Sequence, residues 1–429
     1  MRRRVKLPPD PLALARSLGD RPGLAVLASS PESALHVADA RFSFVACDPS
    51  ETSEDIVPEA GPNDAGYAGH PAAPRWVGFV PYEAMRAIER AQNDTRPRPS
   101  ICEPRWNRYD AVIRVDHWTG EVAIEADDGP AADRLYRAAS RTPSEPRAAN
   151  LSLLDEGSHR EHEARVAAAL EYIARGDVYQ VNLARRLRFR ATGNPLDIFA
   201  DLHGRVPGPY AVYFDMGTDI AVVGTSPELA IEARGPILRT APIKGTRPRG
   251  VCAVTDAGQR RELESSDKER AELVMAVDLH RNDLGRVARV GSIRPSTEAC
   301  TVASRTVLSR AHEVVARREV TCDLSRVVSA MLPCGSVTGA PKVRAMEIIA
   351  ELEDHRRGLY TGGLGYVGRD GGLVLAVAIR TAVVSRREGV LEYFAGGGIV
   401  AGSDPRREVE ETEWKARHVR EPMGNEVRA

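Results

Sequence analysis

Val374-Leu375-Ala376-Val377-Ala378-Ile379-Arg380-Thr381-Ala382-Val383-Val384 is an apolar, largely β-branched run with a single arginine inside it. Such a run reads as a strand, and residues 363–367 and 391–396 on either side read the same way. Upstream, Pro341 opens a helical pattern through Leu352, with Val343, Met346 and Ile349 at helical spacing; proline suits a first helical turn. Downstream, a closing helix runs from Pro405 to about His418. Helix, three strands and helix in succession make no βαβ repeat. The fold class expected is α+β with antiparallel or mixed sheets, not a doubly wound fold.

The mixture continues outward. Residues 159–176 form a helix with Val166, Leu170 and Ile173 on one stripe, ended by Gly176. Strands are expected over 179–190, 210–215, 220–224 and 229–233, then one long helix over 260–278. Residues 1–115 alternate short strands (24–27, 42–46, 76–80, 111–115) with turn clusters. The Pro-, Gly- and acid-rich stretch 48–74 reads as a surface loop. A polar stretch, 127–146, marks the best boundary between an N-terminal part, 1–150, and a catalytic part, 151–420.

Composition bounds the partners. With 59 Lys+Arg against 60 Asp+Glu, the chain lacks the basic footprint of a nucleic-acid binder. No apolar run reaches bilayer-spanning length, and Met1-Arg2-Arg3-Arg4 precedes Val5-Lys6-Leu7-Pro8-Pro9, not an apolar signal core. A cytoplasmic enzyme is the default expectation. The six cysteines include no Cys-x-x-Cys pair and read as free thiols.

Several residues stand out chemically. Lys244, in Pro242-Ile243-Lys244-Gly245-Thr246, occupies an apolar-then-turn setting where desolvation lowers an amine's pKa and makes it nucleophilic; a lysine snorkelling into water is the plainer reading. Glu269 and Glu272 share a helix face, and Glu408 and Glu411 repeat the spacing. If the two helices converge, the four carboxylates suit Mg2+; two solvated acidic faces satisfy the spacing equally. Gly335 to Lys342 places glycines and hydroxyls before a helix, suited to a carboxylate or phosphate but without P-loop order, with an N-cap by Thr338 as the alternative. Gly396-Gly397-Gly398 points to close backbone approach or to a bulge. Arg380 needs an anion if buried, and Glu228 ahead of an apolar strand would become an acid if desolvated; a structural salt bridge is open for both.

In order, the segments 176–183, 225–228, 242–246, 278–287, 335–347, 360–366, 379–381 and 396–415 resemble the chorismate-utilising enzymes, and most closely the aminodeoxychorismate synthase component I branch (the large subunit of para-aminobenzoate synthase). The resemblance implies a four-layer α-β-β-α sandwich of the anthranilate synthase component I type, with the N-terminal region woven onto the core. It implies Mg2+ held directly by Glu272 and Glu411 and through water by Glu269 and Glu408. Chorismate would be gripped by Tyr360, Arg380 and the backbone of Gly397 and Gly398. Gln180, Gly245, Thr246, Thr338 and Lys415 would lie around it, and His312 beside the ring. Glu228 would protonate the departing C4 hydroxyl.

Two positions speak to the branch. Water-adding members tend to carry lysine where this chain has Gln180, and anthranilate synthases carry alanine where Lys244 stands. The implied reaction is attack of Lys244 on C2, then of ammonia on C4, giving 4-amino-4-deoxychorismate for para-aminobenzoate and folate; anthranilate synthase component I is the alternative. No Gly-x-Cys-x-Gly elbow is present, so ammonia would come from a separate glutamine amidotransferase subunit or from solution. Departures are Cys334 in place of a glycine, Ala28 in place of an acid (which weakens the case for a tryptophan site), and His280, which receives no role.

Overall fold

The run 374–384 is two strands, not one. In the computed structural model, which describes residues 1–30, 35, 40–59, 72–89, 96–421 and 423, Leu373–Val377 and Thr381–Ser385 belong to different sheets. Between them Arg380 adopts a left-handed φ of 48°, a conformation that costs a residue with a Cβ about 1–2 kcal/mol. The neighbouring pair, Ile220–Ser226 and Leu229–Arg234, changes sheets at Pro227-Glu228. The two crossings lie side by side: Thr225 N donates to Arg380 O (2.9 Å) and Val377 N donates to Glu228 O (3.0 Å). Periodicity cannot register a sheet change, because both halves are buried and look alike.

Among the described residues the first sheet has twelve strands and the second nine. The catalytic half of the first sheet runs Tyr210–Asp215, Ile220–Ser226, Thr381–Ser385, Val390–Ile399 and Gln180–Thr192, all antiparallel. Ala25–Ala28 joins it edge-on to Tyr210–Asp215. In the second sheet Pro74–Val80 pairs with Gly363–Gly368, so strands from before and after residue 150 share both sheets. A third sheet joins Ile243–Pro248, Val307–Ala311 and Cys300–Ala303. The basic start is an edge strand, Arg2–Arg4, on Val122–Ala126.

The layers follow from which faces are apolar. Phe44, Phe79, Phe214 and Leu364 meet between the sheets, with the Phe79 and Phe214 rings edge-on at 5.9 Å. Outside the first sheet a second core packs Leu14, Leu135, Phe199 and Val419 from its covering helices. Outside the second, Val277, Leu284, Val327 and Met331 do the same. The result is the α-β-β-α sandwich expected.

Three further expectations are corrected. The helix over 260–278 is two, Ala253–Ser265 and Asp267–Gly285. Ser266 leaves helical geometry (φ −69°, ψ 112°) and its side chain caps Glu269 N, a bond worth about 1 kcal/mol. In the helix Lys342–Leu352, Met346 and Ile349 are buried but Val343 is 40% exposed. Within 48–74 the structure has a short strand, Glu51–Ser53, and residues 60–71 lie outside the described residues. No helix among the described residues is long and apolar enough to cross a membrane.

Candidate active site

A cavity of about 480 Å³ opens where the paired strands change sheets, a volume suited to a small organic ligand. Gln180, Glu228, Lys244, Gly245, Thr246, Tyr360, Arg380, Gly398 and Lys415 line it, as do all four glutamates, Glu269, Glu272, Glu408 and Glu411. Gly397, Thr338 and His312 are not on its wall. A side chain on Gly397 would meet Glu408 Oε2 at 3.0 Å, so this glycine makes room for the acid. Thr338 caps nothing: its hydroxyl turns back to Cys334 O (2.8 Å), and Pro341 precedes the helix without a side-chain cap. The His312 ring rests 2.9 Å from Ser296 O.

Lys244 is delivered by a bulge. Register slips between Lys244 and Thr246 against Val307–Ala311, and Gly245 takes φ +72°. A Cβ there would sit 2.8 Å from Glu269 Oε2, so glycine is required both by backbone and by space. Lys244 Nζ donates to Ser336 O at 3.2 Å. Burial lowers its pKa, opposed by Glu228; Lys415 lowers it further, while Glu272 and Glu411 raise it.

Glu228 is 3% exposed, with Oε1 2.8 Å from Ser336 Oγ. Burial pushes its carboxyl up to about 7, against the pull of Ser336, Lys244 and Lys415 toward ionisation. A carboxyl with that value can hold a proton near neutral pH.

Arg380 occupies the left-handed corner, and burial lowers its pKa. Among the described residues its guanidinium has no hydrogen-bonding or ion-pair partner, which leaves its fork free for an anion in the cavity. Tyr360 lies nearby, stacked on Phe394 (5.2 Å between ring centres). Gly396-Gly397-Gly398 runs in uninterrupted register with Ala184, Leu183 and Asn182, so there is no bulge. These glycines admit close neighbours: a Cβ on Gly396 would lie 2.9 Å from the Tyr360 hydroxyl, and one on Gly398 3.0 Å from the Gln180 amide.

The acidic wall fits a divalent cation. Glu272 and Glu408 have pKa values raised by burial and by neighbouring carboxylates, and Glu408 Oε2 is a buried oxygen without a hydrogen-bond partner. Arg247 (3.1 Å to Glu269), Lys415 (2.6 Å to Glu411) and Lys268 (3.8 Å to Glu272) neutralise only part of the charge. Among the described residues, the group whose ligand atoms lie within 4.8 Å of one another is Glu156, His159 and Glu413. Arg185 and Arg420 already pair with that cluster.

Residues 25–421 match the chorismate binding enzyme family. The chain belongs to it. Anthranilate synthase component 1 of Aquifex aeolicus is 44% identical over 364 residues, covering 80% of this chain and 72% of that protein. The Streptomyces coelicolor protein of the same name is 38% identical over 365 residues, with 80% and 71% covered. The crystal structure of anthranilate synthase component I from Streptococcus pneumoniae superposes with a TM-score of 0.77 at 27% identity, covering 89% of this chain and 92% of that one.

In this chorismate-binding enzyme sequence reasoning missed Ser336, which touches Glu228, Lys244 and His280. It chose Thr338 from the same segment. The short helix Gly335–Thr338 turns the two hydroxyls in different directions, and only tertiary structure reveals which one meets the acid. The stretch around Ala28 lines a separate cavity of about 60 Å³.

Proposed function

We propose that this chorismate-binding enzyme aminates chorismate at C4, giving 4-amino-4-deoxychorismate, with ammonia from a separate glutamine amidotransferase subunit or from solution. The observation that carries this reading is Lys244, a lysine with a lowered pKa in the same cavity as Glu228 and the unpartnered Arg380. Arg380 grips a substrate carboxylate. Lys244 Nζ forms a bond to C2, the ring electrons shift, and the C4–O bond breaks as Glu228 gives its proton to the departing oxygen. Ammonia then bonds to C4, and the C2–Nζ bond breaks to return the amine. Overall, chorismate and ammonia give the amino product and water. Glu269, Glu272, Glu408 and Glu411 would hold Mg2+, which when bound neutralises a substrate carboxylate.

A second reading, anthranilate synthase component I, is favoured by the names of the relatives. The two readings share substrate and nitrogen source and part at the product. Incubation with chorismate, Mg2+ and ammonium separates them. A chorismate-derived adduct on Lys244 by mass spectrometry, with 4-amino-4-deoxychorismate as product, supports the first. Fluorescent anthranilate without any added lyase overturns it in favour of the second.

Arg380→Met should lower kcat/KM for chorismate some hundredfold, mainly through KM, since losing one partner of a buried charge pair costs about 3 kcal/mol. An unchanged KM would remove Arg380 from substrate binding. Glu272→Gln should weaken Mg2+ binding by roughly 10–100-fold, read by calorimetry without substrate. Unaltered metal affinity would place the ion elsewhere.

A further inference from the structure

His280 is fully buried and does not line the cavity, yet a single residue, two hydrogen bonds in all, separates it from the acid. Its Nδ1 lies 2.7 Å from Thr240 Oγ1 and its Nε2 3.1 Å from Ser336 Oγ, which in turn lies 2.8 Å from Glu228 Oε1.

Proton counting orients this chain. A hydroxyl carries one hydrogen, and a carbonyl can only accept. Thr240 Oγ1 donates to Ala230 O at 2.7 Å, so toward His280 it can only accept, which places the ring proton on Nδ1. Burial pushes the His280 pKa down to about 3, with Lys342 and Lys244 lowering it too. The ring is therefore neutral and Nε2 is bare, an acceptor aimed at Ser336.

Ser336 has one hydrogen and two neighbours that want it. When Glu228 is protonated, every link is filled: the carboxyl donates to Ser336, Ser336 to His280, His280 to Thr240, and Thr240 to Ala230 O. When Glu228 is ionised, Ser336 turns to the carboxylate, and the bare Nε2 faces an oxygen lone pair in a buried site. An unsatisfied buried acceptor costs about 1–3 kcal/mol. The ring thus favours the protonated acid.

We propose that His280, fixed as its Nδ1–H tautomer, is a positioning residue that keeps the proton on Glu228 through the Ser336 hydroxyl. This rests on Glu228 being the acid of the proposed reaction. The surroundings make such a device necessary. The Ser336 hydroxyl, Lys244, Lys415 and the Ile243 N–H all pull Glu228 toward ionisation, and burial opposes them. Facing His280 are Lys244 and Lys342, the latter ion-paired to Asp283 at 2.9 Å. With chorismate bound, the Glu228 O–H turns from Ser336 to the C4 oxygen, and as that proton is given up Ser336 swings its hydrogen from His280 to the new carboxylate. The proton shed by ammonia on forming the C4–N bond refills the acid.

Side-chain 15N NMR of the full chain, without chorismate, should show a protonated Nδ1 and a bare Nε2 on His280. A 13C-carboxyl titration should find Glu228, assigned by the signal lost in Glu228→Gln, ionising near neutrality. In His280→Phe its midpoint should fall by about one pH unit, and the alkaline limb of kcat/KM should move down with it. An Nε2–H tautomer overturns the proposal, as does an unchanged Glu228 midpoint in a His280→Phe protein with native melting. If that variant fails to fold, the tautomer in the unaltered protein still decides. Both NMR readouts are independent of turnover. Finding them in a protein that does not aminate chorismate would overturn the proposed function alone and leave the relay supported.

Discussion

Lys244→Ala is expected to abolish 4-amino-4-deoxychorismate formation, with a loss on the order of 10³-fold or more when ammonium is supplied in excess, because the covalent route loses its nucleophile. The truncation should be structurally mild. The amine donates one hydrogen bond, to Ser336 O, and the strand carrying it remains anchored by the pairing of Ile243 with Ala311 and of Thr246 with Ser309. Removing the cation also withdraws one of the charges that stabilise ionised Glu228, so the acid should stay protonated to higher pH in the variant. Product analysis by chromatography, with a thermal melt as control, reads the first effect, and a 13C-carboxyl titration of Glu228 reads the second. Unchanged 4-amino-4-deoxychorismate production would sink the nucleophile assignment. Anthranilate formed equally by the unaltered protein and the Lys244→Ala variant would show that the lysine is a bystander in a C2-aminating enzyme.

The second large effect is expected at Glu228. Glu228→Gln keeps the shape of the side chain but cannot deliver a proton, which should cost about 10²–10⁴ in kcat. The sign of the pH dependence follows from burial. The carboxyl is raised to about 7, the reactive form is the protonated one, and activity must therefore decline as pH rises through about 7. That alkaline limb should vanish in the Gln variant, leaving a low, flat rate over the same interval. A limb that persists there belongs to some other group. Lys244 would produce the opposite slope, since its reactive form is the neutral one, so the two residues can be told apart by direction alone.

The polar half of the site was more legible than its architecture. Glu228, Lys244, Arg380 and the two acidic pairs are charged residues in apolar or helical settings, and each such placement is a local anomaly that a sequence displays. What it cannot display is a change of sheet. Arg380 reads as part of a strand because Ala378 and Ile379 look like their neighbours, whereas the structure turns a corner there. The break at Ser266 was visible in principle, since Ser265-Ser266-Asp267 is an N-cap signal, but the continuing helical pattern on both sides concealed it. His280 and Ser336 were illegible for a different reason. They lie 56 positions apart and their significance is a matter of proton count across one contact, which no spacing encodes.

The double crossing at Pro227-Glu228 and Ala378–Arg380 also has a mechanical meaning. The acid and the anion-seeking guanidinium stand on adjacent rungs of the same stitch, so they travel together when the two β layers shear. Their mutual spacing is set by paired backbone, whereas Lys244 reaches them from the third, smaller sheet, tied to the second through Pro242 and through His312-Glu313. The alignment of acid and clamp is thus built into the stitch, and the amine is brought to it from a separate sheet.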